Sequence, residues 1–120
     1  MPRNRLLILA AVVAVVVIGA GVLIARGIPA GGGRQVAIDL RVTGASMAPA
    51  APAARQGDRV TMTVTADAKE EIHLHGYDVM FEVDGPGGRV TKTFTADRTG
   101  TFEIEIETTG KHLGDFTVSP

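Results

Sequence analysis

The chain has 120 residues, a formal net charge of −1 at pH 7 and no cysteine. This length allows one small domain, and the lack of cysteine excludes disulfides and thiolate metal ligands. Residues 26–120 carry ten Lys/Arg against thirteen Asp/Glu and contain neither a basic patch nor an aromatic ladder, so we expect no nucleic-acid partner.

The N-terminal quarter of the chain predicts a membrane anchor. Residues 6–25 form an uncharged apolar run of twenty residues, and a helix of that length spans about 30 Å, the thickness of a bilayer's hydrocarbon core. A cleaved signal peptide is the alternative, although the run is longer than a usual signal core and lacks a good small-x-small cleavage site. A helix buried in a soluble fold is disfavoured, because nothing else in the chain is large enough to bury it.

The residues around the apolar run predict its orientation. Two arginines and the amino terminus precede the run and two arginines follow it, a slight bias that favours cytoplasmic residues 1–5 under the positive-inside rule. The Gly-rich residues 26–35 predict a flexible linker. The predicted localisation is therefore the cell membrane, as a single-pass protein with residues 36–120 outside the cytoplasm. A secreted domain is the alternative if the run is cleaved.

Residues 36–120 predict short β-strands. Apolar residues alternate with polar ones in several segments, most clearly at Phe102, Ile104 and Ile106, which are interleaved with glutamates, as in strands with one buried face. Turn signals separate about seven strands, and no helical pattern occurs. The Pro- and Ala-rich segment 44–58 predicts an irregular connection. We therefore predict an all-β fold, a small antiparallel Greek-key β-sandwich.

Residues 71–78 read EIHLHGYD and contain two of the chain's three histidines. The apolar residues of this segment belong to the buried face, so His73 and His75 project from the opposite face, about 6.5–7 Å apart along the strand. After Gly76 the apolar positions change from even to odd, which predicts a bulge or sharp bend there. Gly76 and Tyr77 are therefore predicted to have structural roles, the glycine permitting the bend and the tyrosine packing its ring.

The histidines are candidate metal ligands. Two imidazoles at this spacing can converge on one ion, and His112 could supply a third ligand if the last hairpin folds near Gly76. Three neutral imidazoles suit Cu(II) or Zn(II). The carboxylate and thioether groups that could assist them belong to Asp78, Glu105, Glu107, Met47 and Met80.

A role without metal is equally open for these residues. Histidines on a polar strand face can hydrogen-bond to backbone or carboxylates and so fix the bend at Gly76. His112 lies in a Gly-rich turn, where a plain surface position is the simpler interpretation. The alternating glutamates near residue 105 are most simply a solvated face.

The order of motifs resembles that of a cupredoxin-like domain. The segments that carry the resemblance are QGDRVTMTVTAD, EIHLHGYD, TFTADRTGTFEIEIE and LGDFTV. The resemblance covers residues 36–120, and the chain looks most similar to cysteine-free, H-x-H-G-Y-D versions behind a membrane anchor or signal in bacterial envelope proteins. It implies a β-sandwich in the bacterial envelope.

The blue-copper ligand set of that family is incomplete here. The resemblance implies that His73 matches the first histidine ligand and that the second falls near His112. The ligand cysteine would fall near residues 106–107 and the axial methionine near 113–114, and neither residue type is present there. Because the thiolate dominates blue-copper electronic properties, we expect no blue-copper electron transfer.

Two functions follow from these observations. The first is a membrane-tethered, extracytoplasmic cupredoxin-like binding module without a cofactor, which engages an envelope protein partner. The alternative is a copper- or zinc-binding envelope protein that uses the His-x-His site. No nucleophile or acid–base pair with a recognisable context is present, so we do not expect an enzyme.

Overall fold

The computed structural model describes residues 33–120, where nine β-strands form two sheets packed face to face. The anchor helix predicted at 6–25, the residues 1–5 before it and most of the linker predicted at 26–35 lie outside the described residues. Within 33–120, no helix is long and apolar enough to cross a membrane. The strands are β1 (Gln35–Thr43), β2 (Ser46–Ala48), β3 (Ala53–Arg55), β4 (Arg59–Ala66), β5 (Glu70–Leu74), β6 (Val79–Val83), β7 (Arg89–Thr95), β8 (Gly100–Ile106) and β9 (Lys111–Ser119).

The first sheet has the strand order β2-β1-β4-β7, and the second has the order β3-β9-β8-β5-β6. The predicted all-β, two-sheet architecture is confirmed. Within residues 33–120, the predicted antiparallel pairing holds for five of the seven strand pairs. It is wrong for the other two, because β1 runs parallel to β4 and β3 runs parallel to β9. Parallel neighbours need a crossover instead of a tight hairpin. Here the chain reaches β4 from β1 by way of β2 and of β3 in the other sheet.

Segment 44–58, predicted as irregular, contains β2 and β3. Each has three residues, and the central residue of each faces the core: Met47 is 7% exposed and Ala54 is 6% exposed. A three-residue strand is too short to show an alternation of apolar and polar residues in the sequence. They form because β1 and β9 supply the backbone hydrogen-bond partners, which only the folded chain provides.

The core lies between the sheets and is built from the alternating apolar residues of both. In β4, Val60, Met62 and Val64 are fully buried, whereas the residues between them face outward. Phe81 and Phe116 are the largest fully buried side chains on the second sheet. Full burial of one such side chain contributes about 1.5–3 kcal/mol, so this interior is the main source of stability for a domain of this size.

The start of the described chain is held to the core by an ion pair. The Arg34 guanidinium donates to both carboxylate oxygens of Asp58, at 3.2 and 2.9 Å, and the Arg55 backbone N–H donates to the same carboxylate at 2.8 Å. Burial opposes ionisation of Asp58, but the hydrogen bonds from Arg34 and Arg55 outweigh it and lower the pKa of this carboxyl. This ion pair therefore fixes Arg34, the residue directly before β1, to the buried Asp58.

Candidate metal centre

The histidine pair lies where β5 turns into β6. The two strands pair antiparallel, with Leu74 opposite Val79, and residues 75–78 form the turn between them. Gly76 and Asp78 both adopt positive φ, +82° and +59°. Of the predicted bulge or sharp bend, the structure therefore has the sharp bend: the chain reverses here. The apolar positions change from even to odd because antiparallel partners across a four-residue turn face the same side.

Contacts to β8 and to the loop before it hold this turn in place. A Cβ at Gly76 would collide with the ring of Phe102, so this position requires glycine for space as well as for φ. The Tyr77 hydroxyl donates to the Arg98 carbonyl at 2.7 Å and accepts from the Arg98 N–H at 3.0 Å. The Arg98 guanidinium donates to the Gly76 carbonyl and lies 5.1 Å from the Tyr77 ring centroid. Both Gly76 and Tyr77 therefore shape the turn that carries His75.

His73 and His75 project together from the outer face of the second sheet. Ile72 and Leu74 are fully buried, which confirms the predicted alternation. The imidazole rings lie with their centroids 4.2 Å apart and their planes at 45°. The side chain of His73 is 15% exposed and that of His75 is 41% exposed, so both can be reached from solvent.

Carboxylates surround the two imidazoles. Strand β8 lies beside β5, with Glu105 opposite His73. For His73, Nδ1 lies 2.9 Å from Glu107 Oε1 and Nε2 lies 3.2 Å from Asp78 Oδ1. For His75, Nε2 is hydrogen-bonded to Glu105 Oε1. A carboxylate is therefore in place to accept a proton from each histidine or to join it as a ligand.

Four of these side chains form a group that could hold one ion. His73, His75, Glu105 and Glu107 each offer a donor atom, and these atoms all lie within 4.8 Å of one another. Donors bound to one tetrahedral ion at about 2.0–2.2 Å lie about 3.4 Å apart, so modest side-chain rotation would close the group. Two imidazoles with two carboxylates suit Zn(II) or Cu(II). The residues present therefore fit a metal.

The acidic surroundings also affect the proton on His75. Its hydrogen bond with Glu105 raises the pKa of His75, and the charges of Glu103 and Glu107 act in the same direction. A metal ligand must give up its proton. Protons therefore compete with a metal for this imidazole at a higher pH than they would for an isolated histidine.

The structure places His112 outside the four-residue group. His112 lies on β9 opposite Glu105, so that β8 separates it from His73 on β5. Two strand spacings correspond to about 9.5 Å between backbones. Its Nδ1 lies 2.8 Å from Glu103 Oε2 and its Nε2 lies 3.4 Å from Asp115 Oδ2. The structure thus brings together two of the three histidines that the sequence singled out.

The two candidate thioethers have different surroundings. Met47 is part of the core at 7% exposure. Met80 lies on β6 directly opposite His73 and is half-buried. Only Met80 therefore lies beside the four-residue group.

Sequence reasoning missed the contribution of Arg98. It named Glu105, Glu107 and Asp78 as assisting carboxylates, but gave no reason to connect Arg98 to the turn. Arg98 lies 21 residues from Tyr77 along the chain, and a lone arginine in a turn carries no signal of such a contact. Only the fold brings the loop before β8 against residues 75–78.

Comparison with known proteins shows the fold. No protein-family model matches the sequence, and no curated protein sequence matches it significantly. Among solved structures, a copper-binding protein in the apo form has a TM-score of 0.60 at 15% identity, covering 71% of this chain and 88% of that one. The metal-binding domain of the Cu(I)-exporting P-type ATPase CopA of Streptococcus pneumoniae, solved with Cu(I), has a TM-score of 0.62 at 15% identity and covers 78% and 92%.

Reduced auracyanin from Roseiflexus castenholzii is also similar, with a TM-score of 0.58 at 18% identity over 70% of this chain and 97% of that one. At these identities the similarity concerns the fold alone. The predicted cupredoxin-like sandwich is therefore confirmed, whereas the H-x-H-G-Y-D subtype stays a prediction.

Proposed function

We propose that this protein is a cupredoxin-like, copper-binding module that holds Cu(II) through His73 and His75, with Glu105 and Glu107 as carboxylate donors. The observation that carries the proposal is the convergence of these four donor atoms within 4.8 Å on one solvent-accessible sheet face. The same residues contain no thiolate, so the module binds copper without acting as a blue-copper electron carrier.

The donor set favours copper over zinc. Divalent copper binds nitrogen and oxygen donors more strongly than zinc does, by the Irving–Williams order. Two of the structural neighbours are described as a copper-binding protein and a domain solved with Cu(I). Thiolate and thioether groups select Cu(I), and here the donors are imidazole and carboxylate, which supports Cu(II).

The residues around the ligands prepare them for metal. Asp78 accepts a hydrogen bond from Nε2 of His73 and so orients the ring with Nδ1 toward Glu107, the carboxylate proposed to share the ion. His75 would release its proton to solvent on binding the ion, so that Glu105, its hydrogen-bond partner, stays ionised as a carboxylate donor. When bound, the ion supplies an exchangeable Cu(II) centre on an open surface, which suits handing copper to or receiving it from a partner protein.

We also propose that the domain is tethered to the membrane outside the cytoplasm and has no catalytic activity of its own. The support is the uncharged apolar run at residues 6–25 and the Gly-rich segment 26–35. Secretion after cleavage is the alternative. The intact mass of the protein recovered from the membrane fraction and from the soluble extracytoplasmic fraction decides between them, because cleavage removes the apolar run.

A second candidate function needs no metal. Each histidine of the pair already has a carboxylate partner, so these residues can instead stabilise the sheet of a module that binds an envelope protein. In that case, replacing the histidines would change stability and leave the weak background affinity for metal unaltered.

Calorimetric titration of the full chain in uncharged detergent micelles with Cu(II) and Zn(II) tests the proposal. We expect one Cu(II) bound more tightly than about 10 μM, with an electron paramagnetic resonance spectrum that shows nitrogen coupling and no intense blue absorption. His73→Ala/His75→Ala should weaken binding at least about 100-fold. The matched control His112→Ala removes a histidine from the same face, outside the group, and should have little effect.

Three outcomes would count against copper binding at this site. One is the absence of Cu(II) binding tighter than about 10 μM. Another is equal binding by the wild type and the double variant. The third is tighter binding of Zn(II) than of Cu(II).

A further inference from the structure

The two sheets carry opposite charge. The strands of the first sheet contain four Lys/Arg and one Asp, and those of the second contain two Lys/Arg and six Asp/Glu, so their net charges are +3 and −4. The histidine–carboxylate group lies on the acidic sheet. The basic sheet faces the other way and has no role in the metal site.

The outer face of the basic sheet contains a polar cleft of about 330 Å³. Its floor includes one cross-strand row in which Thr65 on β4 lies between Arg41 on β1 and Arg89 on β7. Thr63 and Asp39 belong to the next row and also line the cleft. Two guanidinium groups and a hydroxyl therefore meet at one opening.

Within residues 33–120, the side chains of Arg41, Arg89 and Thr65 have no hydrogen-bond or ion-pair partner. Neither Arg41 nor Arg89 makes an ion pair or hydrogen bond through its side chain there, in contrast to Arg34, which pairs with Asp58. The Thr63 hydroxyl is hydrogen-bonded to the hydroxyl of Thr91 on β7, with 2.8 Å between the two oxygens. The residue facing Thr65 is Arg89, so the Thr65 hydroxyl has no such partner.

We propose that this cleft binds a small oxyanion ligand, a phosphate or carboxylate group, between Arg41 and Arg89. A guanidinium donates two parallel hydrogen bonds to such groups, and the Thr65 hydroxyl adds a third donor at the floor. A cleft of this volume is at the lower end of the range for small-molecule sites. Asp39 repels a second negative charge and accepts a hydrogen bond, so a singly anionic ligand with a hydroxyl group fits best.

The oxyanion site is independent of the metal centre. It lies on the first sheet and the histidines lie on the second, and two packed sheets are about 10 Å apart even before outward side chains are counted. No residue lines both sites. Loading either one should therefore leave the affinity of the other unchanged.

Amide chemical-shift titration of the full chain in uncharged detergent micelles, at low ionic strength, tests the oxyanion site. Three probes are used: inorganic phosphate, lactate, and glycerol 3-phosphate, with glycerol as the uncharged control. We expect saturable shifts at Arg41, Thr65 and Arg89 with all three anions, and the tightest binding with lactate, which carries a single negative charge and a hydroxyl group. Glycerol alone should cause none.

Variants separate the cleft from the general charge of the sheet. R41Q or R89Q should weaken binding about tenfold or more, since each removes a charge-assisted hydrogen bond. T65V keeps the side-chain shape and should weaken binding about threefold. The matched control R59Q removes the same charge from the same face, six residues from Thr65 and about 20 Å along β4, and should change binding less than about twofold.

The proposal is overturned if phosphate and lactate both fail to shift the cleft residues at about 10 mM, a concentration that would detect even weak binding. It is also overturned if R59Q weakens binding as much as R89Q, because the general field of the sheet would then explain the attraction. Loss of anion binding in His73→Ala/His75→Ala would overturn the independence of the two sites.

Discussion

The two outer faces of this sandwich are built on the same core but carry different chemistry. On the first sheet, facing threonines are paired across β4 and β7, and arginines surround a cleft. On the second sheet, three histidines are paired with carboxylates. The inward residues of both sheets are alike, because each must bury apolar surface. The outward residues are free of that requirement, so the two faces can serve different ligands on one small fold.

The largest expected effect comes from a substitution in the core that both sheets share. Phe116 is fully buried, and its ring centroid lies 5.9 Å from Phe94 and 6.0 Å from Tyr77. F116A should destabilise the domain by about 3–5 kcal/mol, through lost burial and the cavity left behind. Urea unfolding of the full chain in micelles measures the change. A loss below about 1 kcal/mol would show that the two faces do not depend on this shared interior.

A change in the turn at residues 75–78 should affect mainly the outer face of the second sheet. G76A forces alanine into a left-handed φ and drives its Cβ into the ring of Phe102, so we expect a loss of about 2–4 kcal/mol and weaker Cu(II) binding. G87A is the matched control: Gly87 has φ +75° and open space around its Cβ position. It should lose only about 1 kcal/mol.

Unfolding curves and Cu(II) titrations of both glycine variants make the comparison. Equal losses of stability in G76A and G87A would show that the collision with Phe102 does not add to the destabilisation of G76A. Unchanged Cu(II) binding in a folded G76A would show that the turn does not position His75.

Removing one acidic charge beside the histidines should alter metal affinity without unfolding the domain. E105Q keeps the shape of the side chain but removes a ligand charge, so Cu(II) binding should weaken about tenfold. The pKa of His75 should also fall, because its hydrogen bond with Glu105 is the main cause of its rise. E82Q removes a charge from the exposed Glu82 of the same sheet, and calorimetry should find its affinity near that of the wild type. Equal effects of the two changes would mean that only the overall charge of the face matters.

The smallest effect concerns His112. Its hydrogen bond with Glu103 and the nearby charge of Asp115 raise the pKa of His112 above the ordinary 6.5. A raised pKa in the folded state means that this pairing stabilises the protein fully below pH 6.5 and less as pH rises through the folded value. NMR titration of the imidazole in E103Q should show a lower pKa than in the wild type, while Cu(II) affinity stays the same. An unchanged pKa would exclude Glu103 as its cause.

Much of the fold could be read from the chain because its strands bury one face. The alternation around Ile72 and Leu74 correctly predicted which residues face inward, and it placed His73 and His75 together on the outside. Alternation does not report which strand lies next to which, or in which direction. That is why the parallel pairing of β1 with β4 and the short strands β2 and β3 were missed.

The same limit applies to the candidate metal centre. The spacing of the two histidines placed both imidazoles on one face of a strand, and the missing cysteine ruled out a blue-copper site. Whether His112 or the glutamates would complete the group depended on the order of strands. Because β8 lies between β5 and β9, Glu105 comes beside the pair and His112 lies one strand further away.

By itself, the sequence determined the burial pattern, the turn glycine and the absence of a thiolate, since each depends on residue type and local periodicity. Only the tertiary structure decided that four donors converge on the acidic sheet and that Arg41, Thr65 and Arg89 form one row on the other. These groupings join strands that are distant in the chain. Local preferences cannot specify them, because they arise when the core brings the two sheets together and backbone hydrogen bonds set the register of neighbouring strands.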